Sequence, residues 1–142
     1  MESNSLIPVD LINAFLNTNY HVEDANPFIL RVGEKSQELK QLFKRYNHDS
    51  AVFLTAWNPF SELTDQNENL LRQVELESDI KNLDHPYLPG YGKDENGVWP
   101  PEPSIMILGM ALETAKLLGK KYRQNALIWS TDDAIPQLIL LR

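Results

Sequence analysis

Thr55, Asn58 and Ser61 stand at and just beyond the end of the most apolar run in the chain, and Asn69, Arg72, Glu102, Ser104 and Gln124 follow in later segments. Residues of these types can do recognisable chemistry. Glu102 beside Ser104 and Asn58 would be a general acid or base if its pKa were moved toward neutrality. The planar fork of Arg72 suits a bidentate grip on a carboxylate or phosphate. Trp57 and Trp99 could supply flat apolar walls, and in open sheets ligands gather beyond strand ends of the kind Thr55 occupies. Each residue also has a plainer use. Asn58 before Pro59 is a turn former, and Ser61 or Asp65 could cap a helix. Arg72 could pair with Glu68 at the i,i+4 spacing, and Glu102 could reach back to Lys93. Side chains drawn from separate segments, however, are more than is needed to close turns, and as a group they point to a shared site.

Other chemistries lack their residues. There is no cysteine, which removes disulfides, thiolate zinc sites, iron–sulfur clusters and thiol nucleophiles. His21, His48 and His85 fall in different segments with no metal-ligand spacing, so no metal and no cofactor is expected. Asp94–Glu95–Asn96–Gly97 fails as an EF-hand because Gly92 and Pro103 would occupy the first and twelfth ligand positions; a turn at Asn96–Gly97 accounts for it. Gly90 and Gly92 are followed by prolines, not by a helix N-terminus, so they make a poor phosphate cradle. No G-x-S-x-G elbow occurs.

The formal charge is −7, from 20 acidic and 13 basic residues. An acidic chain is a poor partner for phosphate backbones unless its cations cluster. Lys40, Lys44 and Arg45 form one cluster and Lys116, Lys120, Lys121 and Arg123 another, but both fall where helix C-termini are expected, and cations there complement the helix dipole. No nucleic-acid partner is expected. No apolar run approaches the ~18 residues of a membrane span and Met1–Asn4 does not open a signal sequence, so the expectation is a soluble cytoplasmic protein.

The elements that must position these residues are read from apolar periodicity. Pro8–Asn17, Ser36–Tyr46, Asp65–Leu83 and Ala111–Tyr122 read as helices, the third opened by Asp65 with Glu68 in the manner of a capping box. Phe28–Val32, Ala51–Ala56, Ser104–Leu108, Ala126–Trp129 and Gln137–Leu141 read as strands. Ala51–Ala56 is almost wholly apolar, as a central strand buried on both faces would be. Between 84 and 104 the chain holds five of its nine prolines and three of its six glycines and reads as irregular. At 142 residues one domain is expected, residues 1–26 being an N-terminal helix and lead-in to a body at 27–142.

Residues 28–54 and 105–129 resemble each other. Gly33 aligns with Gly109, Leu42 with Leu118, Lys44 with Lys120 and Tyr46 with Tyr122. Two tandem strand-helix-strand units give an α+β fold with one sheet, a split βαβ arrangement of the ferredoxin-like kind, both repeat helices on one face. A long central helix and an extra C-terminal strand complete it. The alternative is an open three-layer α/β sheet.

The strings TAWNPFS, ENLLRQ, LPGYG, WPPEPS and GKKYRQNALIW, in that order over roughly residues 50–142, resemble a family of short bacterial proteins known as a domain of unknown function. The resemblance implies a cytoplasmic bacterial α/β protein and no particular activity. The leading functional expectation is a small-molecule or peptide binding domain with an anion-accepting pocket, built from Thr55, Trp57, Asn58, Ser61, Asn69, Arg72, Glu102, Ser104 and Gln124. Its rivals are an enzyme using Glu102 and an interaction module using the Pro-rich loop 86–103.

Overall fold

The computed structural model describes residues 5–96 and 99–142, so the Gly97 half of the expected turn and the Met1–Asn4 segment lie outside the described residues. In chain order the elements are α1 (Val9–Leu16), β1 (Thr18–Val22), β2 (Phe28–Leu30), α2 (Gln37–Tyr46), β3 (Ala51–Leu54), a 3-10 turn (Pro59–Ser61), α3 (Gln66–Asn82), β4 (Tyr87–Asp94), β5 (Glu102–Leu108), α4 (Leu112–Lys121), β6 (Ala126–Ser130) and β7 (Gln137–Leu140). The seven strands form one sheet in the order β2-β1-β4-β5-β3-β6-β7, and every pairing is antiparallel.

Local chemistry sets the helix ends. Ser36 accepts a hydrogen bond from the backbone N–H of Leu39, and Asn47 closes α2 in the left-handed conformation. Asp65 accepts from the N–H groups of Asn67 and Glu68, opening α3. Each satisfies helix-end groups that would otherwise lack partners.

The central strand β3 is buried along its whole length and divides the core. On one face Ala51 and Phe53 join Tyr20, Val22, Met106 and Ile128 under Leu39, Leu42 and Phe43 of α2. On the other, Val52 and Leu54 join Ile105, Ile107 and Leu127 under Leu76 and Ile80 of α3 and Ala115 and Leu118 of α4. Past one sheet edge, Gly33 and Ser36 donate backbone hydrogen bonds of 2.8 and 2.9 Å to Pro136 and Ala134, which immediately precede β7 at the other edge. These bonds curl the sheet, and its concave face is the one carrying α2.

The fold is α+β, but the ferredoxin-like detail is corrected: α2 and α4 lie on opposite faces, and β6 neighbours β3, not β2. Handedness gives the reason. Both crossovers, β2-α2-β3 and β5-α4-β6, step across the sheet in the same direction while starting from oppositely directed strands. Right-handed crossovers then put their helices on opposite faces. Helices therefore cover both faces, as in the three-layer alternative, but on an antiparallel sheet.

Two strands escape the sequence patterns. The segment read as irregular contains β4, an interior strand between β1 and β5. Pro89 is tolerated because it sits opposite the end of β1, where its carbonyl accepts from Glu23 N–H at 2.9 Å and no ladder donor is required of it. Gly90 has no room for a side chain: a Cβ there would lie 2.5 Å from the His21 carbonyl oxygen and 2.9 Å from the Phe53 ring. Within residues 1–26, β1 also belongs to the sheet interior, between β2 and β4.

Candidate functional site: a cavity under a strained loop

The loop that follows β3 is strained. Asn58, Phe60 and Ser61 have φ values of 48°, 53° and 61°, a left-handed conformation that costs side-chain-bearing residues roughly 1–2 kcal/mol each. Such a segment persists only where its surroundings over-determine it, and here they do. From α3, the Asn69 carboxamide accepts from Asn58 N–H at 2.8 Å and donates to Asn58 Oδ1 at 2.8 Å and to the Thr64 carbonyl at 3.2 Å. Arg72 donates to the carbonyls of Ala56 (3.3 Å) and Tyr122 (2.9 Å). Gln73 Oε1 accepts from Ala56 N–H at 2.9 Å. Beyond α4, Gln124 donates to the Trp57 carbonyl at 3.2 Å, Asn125 donates to Ser61 Oγ at 3.0 Å, and the Arg123 carbonyl accepts from Phe60 N–H at 2.6 Å.

On the concave face beneath the loop lies a cavity of about 130 Å³. Its floor is apolar, from Tyr20, Phe53, Ile128 and Leu138; Leu11 and Phe15 of α1 cover it; Thr55, Asn58, Ser61, Glu102 and Ser104 form the polar wall. Trp99 and Pro100 border it, and Lys93 and Asp94 supply its remaining charges. Tyr20 ties the cover to the floor through a 2.7 Å hydrogen bond to the Phe15 carbonyl. Burial pushes its hydroxyl pKa far up, so it stays protonated.

Glu102 is the one acid on the polar wall. Its Oε1 accepts from Asn58 Nδ2 at 3.0 Å. Burial raises its pKa above the ordinary glutamate value, and the Asn58 hydrogen bond works in the opposite direction. The Asn58 amide has no freedom to turn: its Oδ1 already accepts from Thr64 N–H at 3.1 Å and from Asn69, which leaves Nδ2 facing Glu102. Thr55 donates to the Pro103 carbonyl at 2.6 Å, and Ser104 to the carbonyl of Glu102 at 3.0 Å.

The nine expected site residues thus separate into two groups. Thr55, Asn58, Ser61, Glu102 and Ser104 border the cavity; Trp57, Asn69, Arg72 and Gln124 do not. Arg72 grips backbone carbonyls and makes no ion pair with Glu68, so the expected anion clamp is corrected to a structural brace. Trp99, and not Trp57, supplies an aromatic wall. Tyr20, Leu11 and Phe15 were missed: they belong to residues 1–26, read as an N-terminal helix and lead-in, where the apolar stripe of α1 was a signal for Leu11 and Phe15 and none marked Tyr20. Gln73 and Asn125 were missed as braces.

Several of the clustered cations are engaged by acids: Arg45 by Asp24 at 2.8 Å and Lys121 by Asp79 at 2.7 Å. Among the described residues no group of three or more His, Asp or Glu side chains is placed to hold a metal ion, and no helix is long and apolar enough to cross a membrane.

A strained loop braced from α3 and from the end of α4, with its polar wall completed from β5, is built almost wholly from residues 54–127. The family model for "Protein of unknown function (DUF3293)" matches that same stretch, just over half of the chain. The protein belongs to this family. No curated protein and no solved structure matches the chain.

Proposed function

We propose that this protein binds a small, largely apolar molecule in the cavity under the 55–61 loop, with Glu102 as its polar anchor. The observation that carries the reading is the placement of a desolvated carboxyl, held by an immobilised amide, on the wall of a cavity whose floor and cover are apolar. Few apolar sites hold an acid without a use for it, because burying one costs free energy. The volume limits the occupant. At about 130 Å³ the cavity is below the ~300 Å³ at which sites for drug-sized ligands begin and near the ~150 Å³ of an engineered cavity that admits benzene or xenon.

The enzyme reading draws on the raised Glu102 pKa, a property general acids need. It is the weaker of the two. Ser104 donates back to Glu102's own main chain, and Tyr20 is committed to Phe15, so neither hydroxyl is poised to share a proton with Glu102. The interaction-module reading loses most of its loop, since β4 and β5 take up residues 87–94 and 102–108.

The test is occupancy. Methyl NMR spectra under xenon pressure or with benzene should shift Ile128 and Leu138 and leave Leu76 and Ile80, on the opposite face, unmoved. Equal shifts on both faces, or none, would remove the proposal.

A further inference from the structure

We infer that the ligand of this cavity is a short-chain primary amine, its ammonium group on Glu102 and its hydrocarbon on Phe53, Ile128 and Leu138. This rests on the binding reading above and narrows it to a chemical class.

Three observations carry the inference. First, the Asn58 amide is locked with its donor toward Glu102 Oε1. A carboxylate that already accepts one hydrogen bond has lone pairs to offer and so calls for a partner that donates; an ammonium has three donors. Second, acids outnumber bases around the cavity: Glu102 and Asp94 against Lys93. The chain as a whole carries −7, so the field favours a cation over an anion. Third, the floor and cover of the cavity are hydrocarbon and aromatic, from Phe53, Ile128, Leu138, Leu11 and Phe15, and the volume admits about the bulk of one small ring or a short alkyl chain.

The experiment compares n-pentylamine, n-pentanol and pentanoate, three probes of nearly one shape, by NMR titration of the full chain at neutral pH. The amine is expected to bind at least tenfold more tightly than the alcohol, with pentanoate weakest. Saturating amine should also lower the apparent pKa of the Glu102 carboxyl followed by carbon NMR. In Glu102→Gln, which keeps the acceptor for Asn58, the amine should fall to about the affinity of the alcohol while the alcohol changes little.

An alcohol or carboxylate that binds wild type as tightly as the amine would overturn the inference, as would an amine preference that survives Glu102→Gln. Should that variant fail to fold, the wild-type ranking and the carboxyl titration decide alone. If xenon enters the cavity and none of the three probes does, the amine inference fails and the binding reading stands. If xenon is excluded as well, both fail.

Discussion

Replacing Arg72 by alanine separates architecture from recognition at the loop. Were Arg72 an exposed anion clamp resting against Glu68, its loss would remove a surface ion pair of about 0.3–0.5 kcal/mol. The melting temperature would then fall by only ~1–2 °C, at roughly 2–4 °C per kcal/mol for a domain of this size. The observed geometry requires much more. The guanidinium joins the Ala56 carbonyl at the start of the strained loop to the Tyr122 carbonyl at the end of α4, and hydrogen bonds from charged donors contribute about 1.5–3 kcal/mol each. The 3.3 Å contact belongs at the low end of that range, so the sum is about 3 kcal/mol, or a fall of roughly 6–12 °C. Thermal unfolding by circular dichroism measures the drop, and urea unfolding should show a lower midpoint with an unchanged m-value. Arg72→Lys, whose single ammonium cannot span both carbonyls, should fall between the two. A loss below about 2 °C in Arg72→Ala would refute the brace, and with it the idea that α3 holds the loop in its left-handed conformation.

Glu102→Gln is expected to stabilise the unliganded protein at neutral pH, because burial disfavours the charged form of the Glu102 carboxyl and a neutral amide carries no such penalty. The folded-state pKa is raised, so the favourable contribution of protonated Glu102 is complete below its unfolded pKa and disappears as pH rises through the folded one. The advantage of the variant should accordingly shrink as pH is lowered toward the unfolded glutamate value, and melting curves across that range would expose a gap that instead widens. Asn69→Ala removes the acceptor of Asn58 N–H from a site only 2% exposed and should cost about 2–3 kcal/mol; a urea midpoint equal to wild type would contradict it. Gly90→Ala drives a Cβ against the His21 carbonyl, a backbone atom that cannot swing aside, and should cost about 3 kcal/mol, the upper range for overpacking. A neutral result there would mean that β1 and β4 separate more easily than their ladder implies.

Elements were legible where one physical signal dominated. The four helices were found within one or two residues because each carries its apolar stripe or a cap such as Ser36 or Asp65. The strands of the core were found because Ala51–Leu54 and Ile105–Leu108 are apolar throughout. β4 was hidden by Pro89, Gly90 and Gly92, residues that ordinarily argue against an interior strand. They are explained only by their neighbours: the end of β1 beside Pro89, and the Phe53 ring over Gly90. The internal resemblance was equally readable and still misdirected the topology. Two similar strand-helix-strand units contain no statement about the direction in which each crosses the sheet, and that direction decides which face the helix takes.

The site divides along the same line. Asn58, Glu102 and Ser104 could be singled out because polar side chains bordering apolar strands are conspicuous in a sequence. Their braces could be noticed but not assigned, for a simple reason: Arg72 and Gln124 bind main-chain carbonyls, which every residue has, so nothing in the sequence marks the acceptor. Loop strain was invisible for a related reason, since Phe60 and Ser61 are poor candidates for a left-handed conformation and adopt it only because Arg123 and Asn125 hold them. The two failures have one cause. Residues 55–61 are given their shape by α3 and by the turn after α4, and that shape sets Asn58 against Glu102. The many polar residues clustered in this stretch are thus accounted for by position: a few border the cavity, and the greater number hold the few in place.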